Sequence, residues 1–274
     1  MDIKKMLAVA TAVVGTVAVA DVVSSSVVGY LGNDMNASGA TMAAGSFVSV
    51  AASINGSLTL ADFSVSGYDV PEWNEEDEEY TGGCDGTLVV QFLSSSGTVE
   101  SKYAWFDNGE VAKGWYNANG STISGGAESV NVPAGQAVWI TGRGMRLTSA
   151  GAVNEKDIAF LTRSSGASAV GNATPVGLTL GRLAVSGYSI PEWNEDDEEY
   201  TGGCDGIFVV QFLATSGTVD AKYAWFDNGE AAPGWYNSNG SAIPDGATSV
   251  AIPAGKGMWI TGRGMTLNIP APEL

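Results

Sequence analysis

Hydrophobic and polar residues alternate with a period of two along much of the chain. In residues 99–106 a mostly apolar face, which carries Tyr103 and Trp105, alternates with a mixed face. This pattern predicts a half-buried β-strand. Leu88–Leu93 and Ala137–Ile140 are almost continuously apolar, which is typical of a central strand. Turn residues separate these runs and helical periodicity is missing, so the pattern predicts an all-β protein.

Asparagine and glycine mark the turns between the predicted strands. Residues 118–120, Ala-Asn-Gly, stand between Gly114–Asn117 and Ser121–Ile123. Asn and Gly tolerate the positive φ angles that tight hairpin turns require. The sequence therefore predicts a β-hairpin over residues 114–123.

Most of this pattern occurs twice. The stretch 58–147 recurs at 178–267 with a constant offset of 120, and roughly 70 % of the paired positions are identical. The most similar stretch is PEWNEEDEEYTGGCDG at 71–86, which returns as PEWNEDDEEYTGGCDG at 191–206. Each copy offers about seven or eight short strands. We therefore expect two tandem homologous β-sandwich domains, of jelly-roll or immunoglobulin-like type, which arose by internal duplication.

The N-terminus has the features of a secretory signal peptide. Lys4 and Lys5 precede the apolar run Met6–Val19, and residues 18–20 form an Ala-Val-Ala cleavage site. The run is shorter than the ~20 residues that a spanning helix needs, which disfavours a membrane anchor. We predict a signal peptide at 1–20, a first β-sandwich at 21–150 and a second at 151–274. The mature protein is expected to be secreted or at the bacterial cell surface, with no membrane span.

The opening segments of the two copies diverge more than the rest. The segment 157–161 is predicted to be the first strand of the second copy, and its expected counterpart lies within Ser46–Ile54. Duplicated copies diverge where each meets a different neighbour. This divergence raises the hypothesis that the first strand is exchanged between domains or chains, and for chains the segment Val22–Val28 is the candidate.

The charge and the residue inventory narrow the class of function. The formal net charge is −18, and removing Asp2, Lys4 and Lys5 takes away +1, which leaves −19. Such a chain is a poor ligand for nucleic acid and for anionic lipid. Histidine is absent, which removes the commonest general base and metal ligand. We therefore expect no enzyme, and a carboxylate-based glycoside hydrolase is only a distant third interpretation.

The repeated acidic stretch is the candidate metal site. Clustered carboxylates repel one another, and hard oxygen ligands suit Ca²⁺, which accepts six to eight of them. The alternative is a solvated acidic loop that keeps an exported protein soluble and protects a strand edge. The candidate Ca²⁺ ligands are Glu72, Glu75, Glu76, Asp77, Glu78, Glu79 and Asp85, with Glu192, Glu195, Asp196, Asp197, Glu198, Glu199 and Asp205 in the second copy.

Aromatic residues next to the tip of the predicted hairpin are candidates for binding sugars. Trp115, Tyr116 and their copies Trp235 and Tyr236 are candidate stacking platforms for glycan rings. The simpler alternative is that they pack in the core, as large aromatics usually do.

The two cysteines, Cys84 and Cys204, occupy equivalent positions of the two copies and are candidates for a disulfide. Three arrangements stay open: a bond between the copies, bonds between chains, or two free buried thiols. A bond between the copies requires their equivalent surfaces to meet about a local two-fold axis, because a disulfide tolerates at most ~7 Å between Cα atoms.

Several phrases resemble those of a group of exported β-repeat proteins from Verrucomicrobia-related bacteria. The phrases are DVVSSSVVGY at 21–30, KYAWFDNGE followed by GWY within 102–116, and PAGQAVWITGRG at 133–144. The acidic stretch is not part of this resemblance. The resemblance implies export, β-rich repeats and a cell-surface setting, and it implies no activity or catalytic residue.

Together these features lead to one expected function and one alternative. The leading hypothesis is a secreted structural or surface-interaction protein that self-assembles into a filament or layer by strand addition, with Ca²⁺ at the acidic loops. The alternative is a tandem carbohydrate-binding module. The expected partners are other copies of the chain, or glycans.

Overall fold

The structure is a computed structural model that describes residues 28–34, 47–49, 57–133, 135–142, 144–153, 155–172, 174–214 and 218–273. The predicted signal peptide and residues 22–27 of the opening segment lie outside the described residues.

The chain is an all-β protein, as predicted. The strands of residues 28–152, here called the first half, are β1 (Val28–Asp34), β2 (Phe47–Ser49), β3 (Ser57–Thr59), β4 (Phe63–Ser66), β5 (Glu72–Asn74), β6 (Glu79–Thr81), β7 (Cys84–Leu93), β8 (Val99–Asp107), β9 (Gly114–Asn117), β10 (Asn131–Pro133), β11 (Ala137–Thr141) and β12 (Arg146–Ala152).

The strands of residues 158–269, the second half, are β13 (Ile158–Leu161), β14 (Ser168–Gly171), β15 (Leu178–Thr179), β16 (Ala184–Ser186), β17 (Glu192–Asn194), β18 (Glu199–Thr201), β19 (Cys204–Leu213), β20 (Val219–Asp227), β21 (Gly234–Asn237), β22 (Ala251–Ile252), β23 (Gly257–Thr261) and β24 (Thr266–Ile269). Short 3₁₀ helices occur at Leu60–Asp62, Ala127–Ser129, Leu180–Arg182 and Ala247–Ser249. Within the described ranges, none of the helices has the length and apolar character to cross a bilayer.

The two halves have sheets of the same strand order. The largest sheet runs β2-β11-β7-β8-β9 in the first half and β14-β23-β19-β20-β21 in the second. Each half adds a three-stranded sheet, β1-β12-β4 or β13-β24-β16, and two two-stranded pairs, β3-β10 with β5-β6 or β15-β22 with β17-β18. The pairings are antiparallel. The runs predicted as central strands, in β7 and β11, lie inside the five-stranded sheet.

Each half has its own hydrophobic core. Leu60, Leu88 and Ile140 are fully buried in the first, and Leu180 and Phe208 in the second. Along β7 the side chains alternate, so that Leu88 and Val90 point into the core while Gln91 lies on the outer face. Burying one such leucine contributes about 1.5–3 kcal/mol, and repeated over each cluster this burial holds the small sheets together.

The opening strands correct one sequence expectation. The segment 157–161 does form a strand, β13, but its counterpart is β1 rather than a strand within Ser46–Ile54. β1 pairs with β12 as β13 pairs with β24, whereas β2 pairs with β11 as β14 pairs with β23. Sequence similarity could not reveal this equivalence, because the number of residues between β1 and β2 differs from the number between β13 and β14. Both opening strands therefore pair within their own half.

The predicted hairpin over 114–123 forms only in part. Gly114–Asn117 is β9 and pairs with β8, while Ser121–Ile123 is not a strand. The Asn117 side-chain amide instead donates to Ser121 Oγ at 3.0 Å and to the Thr122 carbonyl at 2.9 Å. These bonds hold the returning chain without a second ladder.

Candidate functional site

Two short hairpins built from the acidic stretches are highly exposed elements of the described part of the chain. We call residues 71–82, with β5 and β6, the first acidic hairpin, and residues 191–202, with β17 and β18, the second. In each, a Trp and a Tyr lie directly opposite one another: Trp73 opposite Tyr80, and Trp193 opposite Tyr200. The antiparallel register therefore sets an aromatic pair at the centre of each hairpin.

The tip of the first hairpin is shaped by Asn74. Its side-chain amide donates to Asp77 Oδ2 at 2.6 Å, and its carbonyl oxygen accepts the Glu76 N–H at 2.9 Å. These are the local bonds by which Asn favours a turn. Glu78 then takes a positive φ of 54°. The second hairpin repeats this geometry at Asn194.

The base of the first hairpin is fixed against the first half. The Gly83 N–H donates to the Asp69 carbonyl at 2.7 Å. The Tyr80 ring lies so close to Gly109 that any Cβ added there would collide with the ring. The Tyr80 ring therefore packs directly on the backbone of Gly109, which has no side chain. The Tyr200 ring packs on Gly229 in the same way. Both hairpins project from the sheets in a defined orientation.

Large apolar side chains are exposed on each hairpin. Trp73 is 52 % and Tyr80 41 % exposed, and their rings meet edge to face with centroids 5.1 Å apart. Trp193 and Tyr200 repeat the same exposures and the same centroid distance. Val70, at the base of the first hairpin, is 74 % exposed. Each hairpin thus offers an apolar patch within an acidic surface.

The candidate Ca²⁺ ligands are all exposed, and they do not converge. Across the described residues, no group of three or more Asp, Glu, Cys or His side chains is arranged to hold a metal ion. Asp77 is engaged by Asn74, and Asp85 accepts a 3.0 Å bond from the Asn108 amide below the hairpin. The acidic stretch therefore provides no preformed calcium site within one copy of the chain.

A series of side-chain hydrogen bonds lies next to the base of the first hairpin. Trp105 Nε1–H donates to the Tyr68 hydroxyl at 3.0 Å, and that hydroxyl donates to Asp107 Oδ2 at 2.8 Å. Lys113 Nζ lies 2.9 Å from the same carboxylate. The hydrogen bond from Lys113 lowers the pKa of Asp107, and burial raises the pKa of Tyr68. The second half keeps the Trp225–Tyr188–Asp227 chain but has Pro233 where Lys113 would stand.

We expect Lys113→Met to raise the pKa of Asp107 towards its ordinary value, because the largest cause of the depression is removed. A depressed carboxyl pKa contributes stability above its unfolded value and loses it as the pH falls through the folded value. Because Lys113 is 59 % exposed, the effect at neutral pH is under about 1 kcal/mol. Carbon-13 NMR titration of the Asp107 carboxyl tests this, and an unchanged midpoint would contradict it.

The two tryptophans that were candidates for stacking on sugars are buried in the cores. Trp115 and Trp235 are only 7 % and 6 % exposed, and their indole N–H groups donate to the Phe63 and Leu183 carbonyls at 3.2 and 2.8 Å. The stacking role is therefore wrong for both tryptophans, because strand alternation turns them into the cores. The half-buried Tyr116 and Tyr236 donate their hydroxyls to the carbonyls of Ala112 and Ala232.

Both cysteines are free thiols buried in separate cores. Of the three arrangements that the sequence left open, this is the third. Cys84 Sγ lies 3.3 Å from the Trp105 carbonyl and Cys204 Sγ 3.5 Å from the Trp225 carbonyl. Burial raises the pKa of the Cys204 thiol, which keeps it protonated and unreactive at neutral pH.

A cleft between the two halves was missed by the sequence interpretation. Its walls include Trp139, which lies on the almost continuously apolar run Ala137–Ile140, and its counterpart Trp259. The available signal was Gln91, a lone amide in the otherwise apolar run of β7. It lies opposite Trp139 in the register, as Gln211 lies opposite Trp259.

No protein-family model, curated protein or solved structure matches this chain.

Proposed function

We propose that this chain is an exported surface protein of two tandem β-sandwich domains, which joins further copies of itself through its two acidic hairpins. The observation that carries this proposal is the pair of identical exposed aromatic patches, Trp73 with Tyr80 and Trp193 with Tyr200.

The sequences of the two copies are nearly identical over the acidic hairpins, although most of the side chains there are exposed and are little constrained by packing. In the 16 residues from Pro71 to Gly86, only Glu76 differs from its counterpart, which is Asp196. Fully buried core positions differ more, as in Leu88 and its counterpart Phe208. Residues in the core are constrained by packing, whereas exposed residues are free to change unless they contact something. The retained surface of the hairpins therefore favours a binding role.

Two equal sites on one chain give each copy a valence of two. A contact between like hairpins of two copies uses the same surface on both partners, and a second hairpin then remains available for the next copy. Repetition of this contact builds a linear assembly. We place the contact on the hairpins rather than on exchanged first strands, because β1 and β13 already pair within their own halves.

Charge decides the conditions for such a contact. The first hairpin carries six carboxylates between Glu72 and Glu79 and no basic residue. Two facing hairpins repel each other unless cations neutralise them. Ca²⁺ accepts oxygen ligands in flexible geometry, so carboxylates from two copies can complete a set that one copy does not hold. Assembly is therefore expected to require a divalent cation.

The area that two facing hairpins can bury bears on how strongly two copies bind. An aromatic side chain buries about 150–250 Å² when it is fully enclosed, but only about half of the Trp73 and Tyr80 side chains is still exposed. Two facing Trp-Tyr pairs therefore bury less area than the lower limit of specific interfaces. We expect weak individual contacts, and hence growth that increases steeply with protein concentration.

The test compares the mature chain with the double variant Trp73→Ser/Trp193→Ser by multi-angle light scattering, in Ca²⁺ and in chelator. The wild type is expected to grow into large species in Ca²⁺ and to return to monomers in chelator, and the double variant to stay monomeric in both. The matched control is Val99→Ser/Val219→Ser, which removes a similarly exposed apolar pair outside the hairpins and is expected to assemble normally. A wild type that stays monomeric at every calcium and protein concentration would refute the proposal.

A further inference from the structure

The two halves meet along equivalent edges of their five-stranded sheets. β2 contacts β14, its structural equivalent, and the crossed contacts are reciprocal, β11 with β14 and β2 with β23. The Gly171 N–H donates to the Gly135 carbonyl at 3.0 Å, and the Ala167 N–H to the Ser95 carbonyl at 2.8 Å. Reciprocal contacts between equivalent elements are the mark of an approximate two-fold relation.

This arrangement leaves a cleft of about 400 Å³ between the halves. Its lining comes from both halves in equivalent pairs, which include Gln91 with Gln211, Leu93 with Leu213 and Trp139 with Trp259. A volume of this size lies within the range of small-molecule sites. The cleft therefore exists only because the two halves are joined in this orientation.

The cleft combines the groups that recognise sugar rings. We propose that it binds a neutral oligosaccharide, which contacts Trp139 and Trp259 through the C–H faces of its rings and Gln91 and Gln211 through its hydroxyls. An aromatic ring offers a flat apolar surface with a polar edge. A glutamine amide both donates and accepts hydrogen bonds, as a sugar hydroxyl does.

The register fixes these groups beside one another. Trp139 lies directly opposite Gln91, and Trp259 directly opposite Gln211, so each half presents one aromatic ring beside one amide. Within the described residues, neither glutamine side chain has a hydrogen-bond partner. All four side chains are half-buried, so a ligand that reaches them also displaces water from apolar surface.

The composition of the lining selects the class of ligand. No Asp, Glu, Lys or Arg lines the cleft among the described residues, which disfavours charged ligands. A purely apolar ligand would leave the two amides without partners and so would lose affinity. The neighbours of the glutamines on the next strands, Lys102 and Lys222, are exposed and outside the lining.

This site is separate from the acidic hairpins. It differs also from the stacking site expected from the sequence, because it is one shared cleft rather than one site per copy. The protein would thus bind saccharide through the join between its halves while it contacts other copies through the hairpins.

The test is isothermal titration of the mature chain, held monomeric in chelator, with cellohexaose, chitohexaose and mannohexaose. At least one of these neutral hexasaccharides is expected to bind with a stoichiometry of one. The variant Gln91→Leu/Gln211→Leu is expected to lower its affinity tenfold or more, because two amide contacts are lost. The hairpin variant Trp73→Ser/Trp193→Ser is the control and is expected to keep full affinity.

Three results would overturn the assignment. They are the absence of binding of all three sugars at millimolar concentration, an affinity that the Gln91→Leu/Gln211→Leu variant leaves unchanged, and binding of only a hydrophobic aromatic dye such as anilinonaphthalene sulfonate. Assembly in Ca²⁺ is scored separately on the same proteins. If the cleft does not bind sugar, the wild type and the glutamine variant still assemble in Ca²⁺. If the hairpins do not mediate assembly, the protein still binds sugar.

Discussion

Trp115→Ala is expected to lower the free energy of unfolding by about 3–5 kcal/mol, the range for truncating a buried aromatic residue. The side chain is 7 % exposed and meets Trp105 edge to face with centroids 5.3 Å apart. Its removal leaves a cavity and also leaves the Phe63 carbonyl without its indole donor. Urea denaturation of the protein in chelator measures the change.

Two comparisons make this result informative. Trp235→Ala is expected to fall in the same range, because Trp235 has the equivalent position and the equivalent bond, to the Leu183 carbonyl. Trp73→Ala should cost about 1 kcal/mol or less, since that ring is half exposed and loses mainly its contact with Tyr80. A loss below about 1 kcal/mol for Trp115→Ala would mean that the ring is outside the core, and would restore its candidacy for stacking on ligands.

The fold was predictable from local pattern to a useful extent. Continuous apolar runs located the central strands β7 and β11, and alternation located β8. The hairpin after Gly114 was predicted with one strand too many, because an Asn-Gly turn signals a reversal of the chain and not what the returning segment pairs with. Side-chain bonds from Asn117 replaced the second strand.

The sites were harder to predict, for two physical reasons. Trp115 lies next to the tip of the predicted hairpin, which suggested an exposed ring, yet the register of β9 against β8 turns it into the core. Trp139 lies on an apolar strand, which suggested burial on both faces. Whether its outer face is covered depends on how the second half is oriented against the first. No periodicity within one strand encodes that orientation.

The sequence located the two acidic stretches but predicted them to be loops, whereas each forms a two-stranded hairpin. A run of carboxylates indicated either a calcium loop or a solvated loop. The cross-strand pairing of Trp73 with Tyr80 adds an exposed apolar patch, which the spacing of the two residues alone did not reveal. The combination of charge and exposed apolar surface is the support for the proposed contact between molecules.

Disabling one hairpin is expected to stop growth at the dimer. If like hairpins join like hairpins, a chain with only one functional hairpin can bind one further copy and then has no free site. Trp73→Ser and Trp193→Ser should each cap the assembly in this way, while the wild type continues to grow. The effect is large, since removing one side chain converts an open polymer into a closed pair.

The most direct measurement is therefore sedimentation velocity of the wild type, both single variants and the double variant, in Ca²⁺ at equal concentrations. At saturating protein we expect large species for the wild type, dimers for each single variant, and monomers for the double variant. Single variants that both grow as far as the wild type would contradict hairpin-to-hairpin assembly. A double variant that grows as well would show that the exposed Trp-Tyr patches are not the contact.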